Sequence, residues 1–225
     1  MSKMDSVSSL SPSIKLLHQR WSFRPLGAAT LALILLVAGV WLGREPLLRG
    51  AADVWIVSDP VTHADAVAVL GGGLEVRPFV AAELYKKGLV TRILVSQVAE
   101  GGVSKILAIP GHSELNRMLL LKLGIPEAAI EMFGQENTST RDEAAALRDW
   151  ANHHGVSRIV IPTGIFSARR VRWIFNREFA GSSVQFEIRS FEGPGYTRAE
   201  WWKTEAGIID FQNEIVKYFY YRLRY

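Results

Sequence analysis

From residue 65 onward, short apolar runs alternate with segments that carry helix start and stop signals, and this alternation constrains the fold more than any other feature. The strand-like runs are residues 66–70, 92–96, 130–133, 158–162 and 184–191, and the helix-like segments are residues 77–87, 113–123, 140–154, 167–179 and 199–221. Strand and helix repeating in this order predict an α/β domain with a mainly parallel sheet and helices on both faces.

Sheets of this kind bind ligands at the carboxyl ends of their strands, near a topological switch point. The loops that follow the first four predicted strands are therefore the places to look for a site. They comprise residues 71–77, 96–114, 134–140 and 163–167.

Composition excludes several classes of function. The chain has no cysteine, so a disulfide scaffold, a cysteine nucleophile and thiolate-bound metals are excluded. Lys and Arg number 26 against 22 Asp and Glu, and most of that excess lies in residues 1–43. The main domain thus lacks the basic surplus of a nucleic-acid binder, and we predict no nucleic-acid partner. No clustered His, Asp or Glu pattern predicts a metal site, and no motif identifies a cofactor.

Residues 26–43 form an uncharged run of 18 residues. As a helix of about 1.5 Å per residue, this run would be about 27 Å long, close to the hydrocarbon thickness of a bilayer. A buried soluble helix would normally show a polar stripe, and a signal peptide would have a shorter apolar core and a clear cleavage site. We therefore predict one N-terminal transmembrane helix; Ala51-Ala52 leaves cleavage open as the alternative.

The cations around this run predict its orientation. Four Lys or Arg residues precede it, whereas Arg44 and Arg49 follow it and the next cation is Arg77. The positive-inside rule then places residues 1–25 in the cytoplasm and the main domain outside, which in a bacterial inner membrane is the periplasm. The predicted organisation is a tail (1–25), a single-pass anchor (26–43), a linker (44–63) and an α/β domain (64–225).

The first candidate loop contains Gly71-Gly72-Gly73, followed by Arg77. Glycines here let the backbone approach an anion, which N–H groups then hold, and an arginine can bind a phosphate with two hydrogen bonds. The alternatives are a tight strand-to-helix turn and a surface cation. Ser96, at the end of the second predicted strand, is a further ligand-binding candidate.

The helix predicted from residue 140 begins with Ser139-Thr140-Arg141. Thr140 and Glu143 have the spacing of a capping box, and Ser139 and Asp142 offer the same spacing in another register. A helix N-terminus at the ligand edge of the sheet also attracts anions, which Arg141 would strengthen. The capping and binding roles are compatible.

The loop after the fourth predicted strand offers hydroxyls from Thr163 and Ser167 and cations from Arg169 and Arg170. We predict that one of these arginines is functional; the alternative is Ser167 as a helix cap beside a solvated basic face. Glu114 is the candidate catalytic base. Alternatively, Glu114 is present because acidic residues are favoured in the first turn of a helix.

The chain closes with Tyr218-Phe219-Tyr220-Tyr221 among Lys217, Arg222 and Arg224. Aromatic and basic residues together suit a membrane interface, but they also suit a terminal helix packed on the sheet. We favour packing for the aromatic residues.

Several of these segments together resemble the YdcF-like family of envelope proteins, over roughly residues 53–223. The matching positions are Ala64 to Gly73, Arg77 to Gly88, Glu114, Met118, Gly124-Ile125-Pro126, Ser139 to Ala144, and Thr163 to Arg170. The resemblance implies a Rossmann-like domain behind an N-terminal anchor and a role in cell-envelope or lipid-carrier metabolism.

Two positions depart from the family pattern. Ser167 stands where the family usually has His, which removes its evident acid/base group, and Ser96-Gln97-Val98 stands where the second strand often ends Ser-Gly-Gly. We expect an envelope protein that binds an anionic, phosphate-bearing ligand, such as a lipid-linked sugar phosphate or a peptidoglycan precursor. The alternatives are a non-catalytic envelope factor with a protein partner, and a nucleotide or S-adenosylmethionine binder.

Overall fold

The computed structural model describes residues 24–107 and 109–225, without the side chains of residues 24–26, 103 and 105. The expectations for residues 1–23 lie outside this range. The elements in chain order are α1 (Arg24–Leu42), α2 (Arg44–Trp55), β1 (Ala64–Val69), α3 (Arg77–Lys86), β2 (Val90–Val98), α4 (Gly102–Leu107), α5 (His112–Lys122), β3 (Ile130–Asn137), α6 (Thr140–His154), β4 (Arg158–Gly164), α7 (Ala168–Glu178), β5 (Gln185–Phe191) and α8 (Glu205–Arg224).

The five strands form one sheet in which all neighbours are parallel, in the order β3-β2-β1-β4-β5. The prediction of an α/β domain with a parallel sheet is thereby confirmed. The chain moves outward from β1 through β2 to β3 and then crosses to the other side of β1 to start β4. The strand order therefore reverses between β1 and β4, where a crevice opens at the carboxyl edge.

Helices cover both faces of this sheet because the side chains of each strand alternate between them. In β1, Ala66 and Ala68 join a core cluster that contains Leu147 of α6 and Phe175 of α7. The intervening residues of β1 point to a second cluster, with Leu84 of α3 and Leu120 of α5. Residues 66–69 of β1 are apolar and fully buried on both faces, as in other sheets that are covered on both sides.

The stretch predicted as a linker, residues 44–63, contains the helix α2. Ala52 of this helix is buried in a third cluster beside Phe166 and Trp201. The indole N–H of Trp55 donates a hydrogen bond to the backbone oxygen of Phe166, 2.7 Å away. Much of this stretch therefore packs on the α/β domain.

The described residues divide into two units between Arg44 and Glu45. In the first unit, α1 exposes its large apolar side chains, among them Leu35 and Trp41. Among the described residues, no helix alone is both long and apolar enough to cross a bilayer. Segments 27–42 and 44–55 meet that requirement only as a pair with a break between them, and only by length and composition.

Candidate functional site

A cleft of about 710 Å³ opens at the carboxyl edge of the sheet. The loops after β1, β2 and β3 form one side of it, together with the first turn of α6. Arg170 of α7 and Lys217, Tyr220 and Tyr221 of α8 form the other side. The cleft therefore lies at the edge where the sheet topology places a ligand.

The turn that follows β1 is built for glycine. Gly72 and Gly73 have φ values of 78° and 62°, in the left-handed region that other residues rarely adopt. Gly71 and Gly72 line the cleft. At Gly71, an added Cβ would lie 2.5 Å from Cγ1 of Val98, so a larger side chain would push the two strand ends apart.

Arg77 holds this turn in place and does not line the cleft. Its Nη1 donates to the backbone oxygens of Leu70 at 3.1 Å, of Gly72 at 3.3 Å and also of Gly71. Its Nη2 lies 3.5 Å from Oγ1 of Thr163. The structure thus places this predicted ligand-binding residue behind the turn, where Nη1 is engaged by main-chain oxygens and Nη2 faces the Thr163 hydroxyl.

Glu143 is a carboxylic acid in the cleft that the sequence analysis did not select as a site residue. Its Oε1 accepts a hydrogen bond from the Gly71 N–H at 2.5 Å, and its side chain is buried. Burial raises the pKa of this carboxyl, although the hydrogen bond from Gly71 and the nearby arginine charges act in the other direction. Glu143 therefore holds a proton more readily than a solvated glutamate does.

The capping register of α6 explains why Glu143 is available to the cleft. Ser139, not Thr140, caps the helix, and its Oγ accepts a hydrogen bond from the Asp142 N–H at 3.2 Å. Asp142 in turn accepts hydrogen bonds from the backbone and side chain of Thr138, at 3.1 and 2.7 Å. The second of the two predicted registers is thus the one adopted, and it leaves Thr140 and Glu143 free for contacts across the cleft.

Arg170 is the functional arginine candidate that the structure brings to the cleft. Its guanidinium binds Glu214 of α8 through two hydrogen bonds of 2.7 and 3.2 Å, and both side chains are buried. A third hydrogen bond, of 2.9 Å, runs from Nη1 to Oγ1 of Thr140. Arg170 therefore ties the first turn of α6 to the C-terminal helix.

Lys217 adds a second cation at the rim of the same corner. Its Nζ lies 3.0 Å from Oε1 of Glu214, and about half of its side chain is exposed. Burial alone would raise the pKa of Glu214, but the hydrogen bonds and charges of Arg170 and Lys217 outweigh burial and hold that pKa below its ordinary value. Two cations thus share one carboxylate, so Arg170, Lys217 and Glu214 together carry one excess positive charge.

Three other predicted site residues lie away from the cleft because their charges have other partners. Arg169 donates to the backbone oxygens of Trp55, at 2.9 Å, and of Val54, and so caps the end of α2. Arg141 binds Glu178 at 2.8 Å. Glu114, the predicted catalytic base, pairs with Arg117 on its own helix at 3.0 Å.

The predicted hydroxyl ligands Ser96, Thr163 and Ser167 are buried beneath the cleft. Thr163 and Ser167 hydrogen-bond each other at 2.8 Å, and Ser167 Oγ also donates to the Gly164 oxygen at 3.0 Å. Ser96 Oγ accepts a hydrogen bond from Asn137 at 3.1 Å. The Ser96 contact joins the ends of β2 and β3, whereas Thr163 and Ser167 join the end of β4 to the start of α7, so these hydroxyls hold the framework of the site.

His112 brings an imidazole into the cleft from the start of α5. Its Nδ1 lies 3.0 Å from Nδ2 of Asn116, an amide that also donates to the His112 backbone oxygen. Burial lowers the pKa of His112, and the charge of Arg77 lowers it further, so the neutral ring is favoured at neutral pH. The sequence pattern favours Glu114 over this residue, although the place of His112 directly before a predicted helix at the ligand edge is a signal for it.

Within the described residues, no group of three or more His, Asp or Glu side chains is arranged to hold a metal ion. A scan against protein-family models finds no match for the chain, and a search of curated proteins finds none either. The resemblance to the YdcF-like family therefore stays a prediction.

Proposed function

We propose that this protein is a membrane-anchored envelope protein that binds an anionic, phosphate-bearing ligand in the cleft at the carboxyl edge of its sheet. The ligand class is a lipid-linked sugar phosphate or a related precursor of envelope polysaccharide or peptidoglycan. The observation that carries the proposal is the convergence of a helix N-terminus, a glycine turn and two cations on one cleft.

Each of these features favours an anion for a physical reason. The first turn of α6 presents backbone N–H groups and the positive end of a helix dipole. Gly71 and Gly72 lack side chains and let a phosphate approach the main chain. Arg170 and Lys217 supply more positive charge than Glu214 neutralises, and Arg170 is buried, where water screens its charge less than at the surface.

The other cleft side chains suit a ligand larger than phosphate. Tyr220 and Tyr221 offer aromatic surface against which a sugar ring can pack. Glu143 and His112, rather than Glu114, are the titratable groups that line the cleft beside these cations. Glu143 is suited to donating a hydrogen bond or a proton to a phosphate oxygen, and neutral His112 to accepting a proton.

The anchor and the outward orientation form the second half of the proposal. They rest on the 18-residue uncharged run at residues 26–43 and on the excess of cations before it. A reporter enzyme that is active only outside the cytoplasm, fused after Tyr225, tests both. We expect activity from this fusion; activity of a cytoplasmic reporter at the same position would contradict the orientation.

Ligand binding is tested by calorimetry on the full chain in detergent micelles, with a lipid-linked sugar phosphate and the matching phosphate-free glycolipid. Lys217→Gln removes the cation at the cleft rim, and we expect about a fivefold to tenfold loss of affinity for the phosphate ligand. The matched control is Lys203→Gln. Lys203 is also about half exposed and pairs with a glutamate three residues away, at 2.9 Å, but it lies outside the cleft.

We expect the phosphate-free glycolipid not to bind and the control to behave like the wild type. Equal binding of the two lipids, or equal effects of the two lysine substitutions, would contradict the proposal. Tighter binding of a nucleotide or S-adenosylmethionine than of the sugar phosphate would favour the nucleotide-binding alternative. Recovery of a stoichiometric crosslinked protein, with neither lipid bound, would favour the partner-binding alternative.

A further inference from the structure

Helix α8 has two apolar faces, and the α/β domain covers one of them. Phe211, Glu214, Tyr218 and Tyr221 are turned toward the domain and are buried or half-buried. A second set lies on the outside of the last turns, with the spacing i, i+3, i+4 and i+7 of an apolar helix face. This set, the α8 stripe, consists of Val216, Phe219, Tyr220 and Leu223, which are 68%, 57%, 57% and 88% exposed.

The charged side chains in the last turns of α8 are all positive. Residues 215–225 contain Lys217, Arg222 and Arg224 but no Asp or Glu. The guanidinium of Arg222 lies 5.5 Å from the ring of Trp173 and 5.8 Å from that of Tyr218. The surface thus combines an apolar strip, aromatic rings and cations, and its natural counterpart is apolar and negatively charged.

We propose that the α8 stripe docks on the surface of an anionic lipid bilayer. Aliphatic and aromatic side chains flanked by Lys and Arg are the composition of helices that lie in the membrane interface, where cations meet lipid phosphates and rings occupy the headgroup region. A second copy of the chain fits less well, because its own cations would face those of the first copy.

Docking in this way has a consequence for the cleft. Tyr220 belongs to the α8 stripe and also lines the cleft, and Lys217, the next residue after Val216, lines it too. The mouth of the cleft therefore opens beside the lipid headgroups when the stripe is docked. The inference goes beyond the proposed function and does not depend on it, because the stripe can contact lipid while the cleft is empty.

The absence of cysteine allows a direct test with single labelled positions in the full chain. An environment-sensitive fluorophore is attached to Leu223→Cys, to Val216→Cys or to the control Ala206→Cys, which is an exposed position in the first turn of α8. The labelled proteins are bound to vesicles of phosphatidylethanolamine and phosphatidylglycerol, with and without brominated acyl chains as quenchers.

We expect about twofold quenching by the brominated lipids at positions 216 and 223, little at position 206, and weaker quenching in phosphatidylcholine vesicles. Leu223 is the most exposed residue of the stripe, so its substitution leaves folding unaffected. Absence of quenching at both stripe positions overturns the proposal. So does a blue-shifted emission that brominated lipid does not quench, since a protein would then cover the stripe. Equal quenching at all three positions, or in both lipids, also overturns it.

Discussion

The buried pair between Arg170 and Glu214 gives the sharpest test of how the cleft is held together. The two side chains are 8% and 5% exposed, and two hydrogen bonds join them. Arg170→Met keeps most of the apolar stem and removes the charge. It leaves the Glu214 carboxylate buried, with Lys217 as its remaining cation, 3.0 Å away.

Removal of one partner of a buried ion pair typically costs about 3–5 kcal/mol, because the other charge stays buried without compensation. We expect about 3 kcal/mol here, the lower end of that range, since Lys217 remains. Such a loss is a large part of the roughly 5–15 kcal/mol by which a domain is usually stable.

The loss of stability also depends on pH, and its direction follows from the pKa of Glu214. Burial acts to raise the pKa of Glu214, but its cationic partners lower it below the ordinary value. The pair therefore contributes stability above the unfolded-state pKa of about 4.3, and this contribution disappears as the pH falls through the lower folded-state value. The stability difference between wild type and Arg170→Met should accordingly shrink in acid.

The assay is urea unfolding of the full chain in detergent micelles, followed by tryptophan fluorescence. The control is Arg141→Met, which breaks a more exposed pair with Glu178 and should cost less than about 1 kcal/mol. The double substitution Arg170→Met with Glu214→Met should recover much of the loss, because no buried charge is left. A loss below about 1 kcal/mol in Arg170→Met, or a double variant less stable than the single one, would refute this reasoning.

Three further predictions concern single residues of the site and its surroundings. Glu143→Gln keeps the acceptor for the Gly71 N–H but cannot ionise. Because burial raises the pKa of Glu143, its contribution to wild-type stability falls as the pH rises above the unfolded-state pKa of about 4.3, and the variant should gain on the wild type between about pH 4 and about pH 7 in the same unfolding assay. An unchanged difference between the two pH values would count against a buried acid. Arg169→Ala removes the cap of α2 and should lower stability by about 1–2 kcal/mol without changing ligand affinity in calorimetry. A weaker ligand affinity in this variant would show that Arg169 takes part in ligand binding. Gly71→Ala should lower stability by about 1–3 kcal/mol through the contact of the added methyl group with Val98. The added change Val98→Ala should restore part of this loss. If stability does not recover, the backbone of the turn and not crowding causes the loss.

The centre of the sheet was predictable because most residues of β1, β2 and β4 are buried, on both faces of the sheet. Such strands appear in the sequence as continuous apolar runs, and each of the five predicted runs overlaps an observed strand. The strand ends were less predictable. β2 and β3 continue as far as Val98 and Asn137, which pair with each other beyond a register shift, and apolar patterning carries no signal for that pairing.

The location of the site was more predictable from the sequence than the side chains that form it. Parallel topology placed the glycine turn and the start of α6 at one edge. The sequence does not show which of the two arginines, Arg169 or Arg170, enters the cleft. Neighbours on a helix point in different directions, and the partner that holds Arg170, Glu214, lies 44 residues further along the chain. Glu143 was assigned to capping because its spacing fits a capping box, whereas the helix adopts the other register.

The position of the phosphate in a structure of the full chain with a bound lipid-linked sugar phosphate is the decisive measurement. We expect the phosphate to lie between the turn at Gly71 and Gly72 and the first turn of α6, within reach of Lys217. A phosphate bound elsewhere on the domain, with this cleft left unchanged, would contradict this expectation.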